Sequence, residues 1–194
     1  FDADRRYALV CNGEIYNYVE LRRELEALGH RPLSHSDSEV ALHGFAQWGA
    51  GSFARLNGMF AYALYDHAQR ELWLVRDRLG IKPLYVAELP DRVLYASELK
   101  ALLPQLPQPR VHPEALAQFF QNQYSTGSET IIAGVRRVLP GTALKISADL
   151  RVETHRYWSA RDLPEPRERS FEDAVEEWQP LFEQVMREHM RADV

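Results

Sequence analysis

Cysteine is almost absent from this chain of 194 residues: Cys11 is the only one. An internal disulfide is therefore excluded, and the usage fits a reducing compartment, here expected to be the cytoplasm. The seven histidines are scattered with no HxxxH or CxxC spacing, so no metal site is expected. There is no G-x-S-x-G elbow and no phosphate-binding P-loop. No apolar run is long enough to cross a bilayer, and no signal-peptide pattern opens the chain, so no membrane partner is expected. Basic residues are outnumbered, with 23 Lys and Arg against 28 Asp and Glu and a net charge of −5. That leaves no electrostatic footprint for nucleic acid.

What is present is a globular composition, 45% apolar, enough for one domain or for one domain and part of a second. The chain opens at Phe1, in the polar approach to a strand, and ends at Val194 inside an amphipathic pattern without a Gly or Pro stop. Both ends read as those of a fragment. Residues 6–11 (RYALVC) predict a buried strand that stops at Asn12-Gly13. Asn17 with Glu20, and Ser36 with Glu39, stand in capping-box register before two helices, each closed by glycine (Gly29, Gly49). From Gly58 the period shortens. Residues 58–66, 71–76, 84–88 and 92–97 predict successive strands of one antiparallel meander. A short helix over 97–103, a helix over 114–123 and a hairpin over 143–158 follow. The proline-rich stretch 163–169 reads as a linker. A last amphipathic helix begins near Phe171, with Pro180 expected to divide or kink it. The class implied is α+β in layers.

Three stretches could carry chemistry. Asn12-Gly13-Glu14 leaves a strand with an amide side chain beside a backbone N–H that no side chain shields. Two such donors can hold a developing oxyanion; Asn-Gly is equally a common turn pair. Asp37 stands where a helix N-terminus favours an acid, and a carboxylate there could also hold a substrate ammonium. Arg76-Asp77, inside RDRLGIKPLY, suggests a rigid turn around a buried ion pair, a device that more often fixes architecture than performs catalysis. Cys11, at the end of an apolar strand with no histidine near it in sequence, reads as a small buried hydrophobe rather than a nucleophile.

Taken in series, VCNGEIYNYVELRREL, HSDSEV, LNGMFAYALYD, VRDRLGIKPLY, YASELKAL, ETIIAGVRRVLPGTAL and the RYW of residues 156–158 resemble the glutaminase domain of glutamine-hydrolysing asparagine synthetases. The resemblance covers nearly the whole chain. It implies a class II glutamine amidotransferase with an N-terminal-nucleophile hydrolase fold, an αββα sandwich of mainly antiparallel sheets, here incomplete. It implies that an N-terminal cysteine attacks the amide of L-glutamine, with its own α-amino group as base. Asn12 and Gly13 would form the oxyanion hole, Glu14 would lie in the same glutamine-binding motif, and Asp37 would hold the α-ammonium. The ammonia would pass to a synthetase domain, where ATP and Mg²⁺ convert L-aspartate to a β-aspartyl-AMP that ammonia attacks to give asparagine.

Residues 1–160 are thus expected to be most of the glutaminase domain, and 161–194 a linker and the first helices of an α/β synthetase domain. The family's first segment, with its Met-Cys-Gly start and the arginine that clamps the glutamine carboxylate, is expected to precede Phe1. The 194-residue chain alone is then expected to be inactive. Three alternatives stay open: a relative that amidates another acid or closes a lactam, a sugar or phosphoribosyl-amine amidotransferase sharing the oxyanion loop, or a non-catalytic glutaminase-like domain. A homodimer is open as the assembly.

Overall fold

Gly58–Asp66 is apolar at consecutive positions because both of its faces are covered. In the computed structural model, which describes residues 1–2 and 4–191, Phe60, Tyr62 and Leu64 point into one core cluster and Ala61 and Ala63 into another. This strand, β2, lies inside a five-stranded antiparallel sheet of order β1-β2-β3-β7-β8. Its members are β1 (Tyr7–Ile15), β2 (Gly58–Asp66), β3 (Glu71–Arg76), β7 (Thr142–Ile146) and β8 (Val152–Arg156). A second sheet of three strands, order β5-β4-β6, holds β4 (Tyr85–Leu89), β5 (Arg92–Ala96) and β6 (Val135–Arg137).

Helices α1 (Tyr18–Ala27) and α2 (Asp37–Trp48) cover one face of the large sheet, burying Leu21, Leu25, Val40 and Phe45 against Phe53, Phe60 and Trp73. Each such side chain, fully buried, contributes about 1.5–3 kcal/mol. The other face packs on the small sheet through Leu74, Leu144 and Ile146 against Val86 and Val138. Helix α3 (Leu99–Leu102) closes the far side, where Leu102 meets Ala87 and Val135. The layer order is therefore helix, sheet, sheet, helix, the α+β sandwich expected. Helices α4 (Pro113–Asn122) and α5 (Phe171–His189) complete the chain. No helix among the described residues is long and apolar enough to cross a membrane.

Four local expectations need correction. Strand β1 does not stop at Asn12-Gly13; it runs to Ile15, with Asn12 opposite Ala61, Gly13 opposite Phe60 and Glu14 opposite Met59. The predicted meander is two hairpins in two sheets, because the chain changes sheet at the turn between Arg76 and Tyr85. Asn17 caps nothing: its carboxamide donates to Arg55 O and accepts from Asn57 N, both at 2.9 Å, tying the start of α1 to the approach of β2. Pro180 sits inside an uninterrupted α5. Of the segment expected to open a second domain, residues 192–194 lie outside the described residues. The end of α5 is held to the first layer by Tyr16 against His189, Asn57 to Glu188, and Arg191 to Glu20.

Candidate active site

Strand β1 is an edge strand, and its hydrogen-bond phase decides what it offers. The ladder with β2 is flanked by Tyr16 N–H to Asn57 O at 2.7 Å and His67 N–H to Arg6 O at 2.8 Å. In an antiparallel pair these bonded positions alternate with unbonded ones, so even-numbered residues of β1 bond to β2. Odd-numbered residues, Gly13 among them, direct their N–H to the open edge. Ile15 confirms the phase, since its N–H leaves the sheet and donates to Asp37 Oδ2 at 2.8 Å. Phe60, opposite Gly13, likewise turns away from β1 and exchanges bonds with Asp77.

Glycine is required at position 13. Its φ is 140°, and a Cβ there would lie 2.0 Å from Met59 O and 2.6 Å from Phe60 Cα. This mirror-image conformation is one that side-chain-bearing residues do not adopt at tolerable cost.

Asp37 reaches the same edge from the first turn of α2. Besides the bond from Ile15, its Oδ1 accepts from Ser38 N at 2.6 Å, while Ser36 Oγ takes the cap by accepting from Ser38 N. Asp37 thus serves helix start and strand edge together. Glu39 is not the second half of a capping box; its carboxylate accepts from Leu33 N and Ser34 N and fastens the preceding loop. Gly13 and Ile15 are two positions apart, so the free N–H and the carboxylate are about 7 Å apart along the strand.

Asn12 projects from the opposite face of β1, toward the small sheet. It lines a pocket of about 220 Å³ with Val10, Ala61, Ala63, Leu84 and Tyr95 among others. Its Nδ2 donates to Ser97 Oγ at 3.2 Å. Glu14 shares that face of the strand and is exposed. Cys11 lies toward the helices, beside Ser38. Burial pushes its thiol up to about 11, and the nearby Asp37 adds to the rise. A thiol held protonated at neutral pH is a poor nucleophile, in keeping with its reading as a core residue.

The structure therefore places Asn12 and Gly13 in sequence on the edge strand and brings Asp37 to that edge from the helix side, while the Asn12 side chain leaves on the small-sheet face. Arg76 and Asp77 do not pair as expected; each turns to backbone. Arg76 donates to Lys82 O, Val138 O and Gly80 O, and Asp77 accepts from Phe60, Leu79, Ile81 and Lys82 N–H groups. Two residues near the site were not foreseen. Ser38 touches both Cys11 and Asp37. Ser97 was read only as the start of a short helix; the signal available was its small hydroxyl at a strand-to-helix junction.

Known proteins agree with this architecture. A solved glutamine phosphoribosylpyrophosphate amidotransferase from B. subtilis superposes with a TM-score of 0.55 at 22% identity, covering 78% of this chain and 29% of its own. That likeness shows the fold, an N-terminal-nucleophile hydrolase sandwich. An asparagine synthetase (glutamine-hydrolysing) of Bacillus subtilis is 35% identical over 191 residues, 98% of this chain and 30% of the relative. A putative asparagine synthetase of Mycobacterium bovis is 39% identical over 200 residues, 100% of this chain and 31% of the relative. This chain thus spans under a third of the length of these curated relatives. Residues 1–158 match the family described as glutamine amidotransferase domain, and the chain belongs to that family.

Proposed function

We propose that this chain is the glutaminase part of a glutamine-dependent asparagine synthetase, and that glutamine is held along the open edge of β1. The observation that carries the reading is the unpaired Gly13 N–H on the open edge of β1, with the Asp37 carboxylate on the helix side of that edge and the Asn12 carboxamide on the small-sheet side. A cysteine thiolate adding to the glutamine γ-carbonyl carbon creates an oxyanion. Asn12 Nδ2–H and Gly13 N–H are the two donors that stabilise it. Collapse of the adduct expels ammonia and leaves a thioester for water to hydrolyse. Asp37 holds the α-ammonium, and so fixes which end of the substrate lies near the donors.

The reading calls for an N-terminal cysteine outside these 194 residues, whose α-amino group, with an ordinary pKa near ~8, takes and returns the proton. ATP and Mg²⁺ would activate aspartate in a further domain. Among the described residues no three His, Cys, Asp or Glu side chains gather to hold a metal, and no step is assigned to either group here.

The test uses the full-length mature protein, with its terminal residue identified by N-terminal sequencing and glutamate release measured from glutamine. A terminal cysteine is expected. Asn12→Ala should lower kcat by about 10²–10³-fold, Asp37→Asn should raise KM, and Cys11→Ala should leave turnover in place. A different terminal residue, or turnover that depends on Cys11 and ignores Asn12, would remove the assignment.

A further inference from the structure

Near the candidate site a side-chain hydrogen bond links the large sheet to the segment that leaves the small one. Asn12 stands on the edge strand of the large sheet and Ser97 just past the edge strand of the small one, 85 residues away in sequence. Asn12 is exposed, and an exposed carboxamide on an edge strand turns freely about its side-chain torsions. Oxyanion donors work because they are oriented before charge develops and need no reorganisation when it does. Something must therefore hold this amide. Nδ2 carries two hydrogens, and the Ser97 hydroxyl takes one at 3.2 Å. The second remains for the site.

Ser97 is itself anchored on both sides. Ala96 before it pairs with Tyr85 in the small sheet, and Leu102, on the helix that follows, is 3% exposed. Its hydroxyl is thus a fixed point on the rim of the pocket that Asn12 lines.

We propose that Ser97 is a positioning residue for glutamine hydrolysis: its hydroxyl locks the Asn12 carboxamide in the rotamer that presents the remaining Nδ2–H to the oxyanion. Ser97 touches no reacting atom. Its influence on the reaction runs entirely through Asn12. The proposal rests on the glutaminase reading above, and its test separates the two.

In the full-length protein, Ser97→Ala should lower kcat for glutamine hydrolysis by about three- to tenfold, the worth of one neutral hydrogen bond. KM should stay within about twofold, since ground-state binding is untouched. Ser97→Thr, which keeps the hydroxyl, should recover most of the loss. The decisive measurement is the double mutant: in an Asn12→Ala background, Ser97→Ala should cost nothing further, because the amide it positions is gone. Additive losses in that background would make Ser97 a structural or substrate-contact residue and overturn the proposal. So would a rise in KM at constant kcat, a Ser97→Thr variant no better than alanine, or unchanged kcat in Ser97→Ala while Asn12→Ala is impaired. Glutamine hydrolysis indifferent to Asn12→Ala would instead overturn the glutaminase assignment itself.

Discussion

Asp77 and Asp37 are both lone carboxylates that accept hydrogen bonds from backbone N–H groups, but their surroundings differ. Asp77 is 0% exposed and accepts four such bonds, at 3.0–3.2 Å, from Phe60, Leu79, Ile81 and Lys82. Around it the backbone is drawn in as well: Gly141 N–H donates to Asp77 O, Tyr157 Oη–H donates to Arg76 O, and Arg76 holds three carbonyls, while Arg78 Nε alone of this stretch's side-chain groups is buried without a partner. The sequence stretches RDRLG, LPG and RYW thus converge on one knot where the chain changes sheet. Asp37 is only half-buried, on a strand edge where Gly13 keeps an N–H aimed outward. A motif whose polar groups satisfy one another builds the fold; one that leaves donors over is available to a ligand.

Asp77→Ala should separate the two regions most sharply. It strands four N–H groups, that of Phe60 buried and the other three partly buried, and the loss should be at least about 3 kcal/mol, read as a lower urea midpoint. Asn12→Ala, on the exposed edge, should stay within about 0.5 kcal/mol of the parent while losing glutamine turnover. Equal stability losses at the two positions would erase the distinction between knot and edge.

Gly13→Ala falls where the two demands meet. The new methyl would sit 2.0 Å from Met59 O, so β1 and β2 must part or the backbone must flip. A cost of about 1–3 kcal/mol is expected, together with loss of turnover, because the outward N–H moves with the backbone. Gly51→Ala is the control: a Cβ there meets nothing within 4 Å, and stability should hold or rise slightly. A Gly13→Ala protein of full stability and full activity would show that the edge N–H is not used.

The layers were legible in the sequence because period-two and period-3.6 patterns report which faces are buried. The strands over 58–66 and 71–76 and both first-layer helices emerge nearly residue for residue. What misled was punctuation. Asn-Gly is read as a turn because it is one in most hairpins, yet in β1 the glycine serves a close approach to β2 that only the partner strand reveals. The division of four consecutive strands between two sheets was equally hidden. Nothing local distinguishes a hairpin turn from a turn that crosses between layers, and the Asp77 knot that forces the crossing draws on residues as far away as Tyr157. For the site, Asn12-Gly13-Glu14 and Asp37 stand out as candidates on residue chemistry and take their roles from resemblance to a family, and their placement along one strand appears only once β1 is known to extend to Ile15. Ser97 offers in sequence only a small hydroxyl at a strand-to-helix junction, and its meaning depends on a contact 85 residues distant.

The smallest expected effect concerns the helical layer behind the site. His43, on α2, is 9% exposed and bonds through Nδ1 to His30 Nδ1 at 3.2 Å, while His30 Nε2 meets Gln47 Oε1 at 2.8 Å. Burial lowers the pKa of His43 and His30 adds to the fall, against the opposing pull of Glu39 and Asp2. The folded value thus lies below the ordinary 6.5, so near and below that pH the unfolded chain binds more protons than the folded one. The stabilisation is complete above the unfolded value and is lost as pH falls through it toward the folded one, with a slope of at most about 1.4 kcal/mol per pH unit for a single proton. His43→Gln, which keeps a hydrogen-bonding side chain and cannot be protonated, should flatten that part of the stability profile in urea melts taken between about pH 7 and 5. Against the upward push of burial, Glu39 is held below its ordinary value by its bonds from Ser34 and Leu33. The loop it fastens next to Asp37 should therefore loosen only below that range, as Glu39 takes up a proton, and before the Asp77 knot is disturbed. Hydrogen exchange would then show Leu33 and Ser34 losing protection ahead of Ile81 and Lys82. The reverse order would place the acid-sensitive element in the knot rather than beside the site.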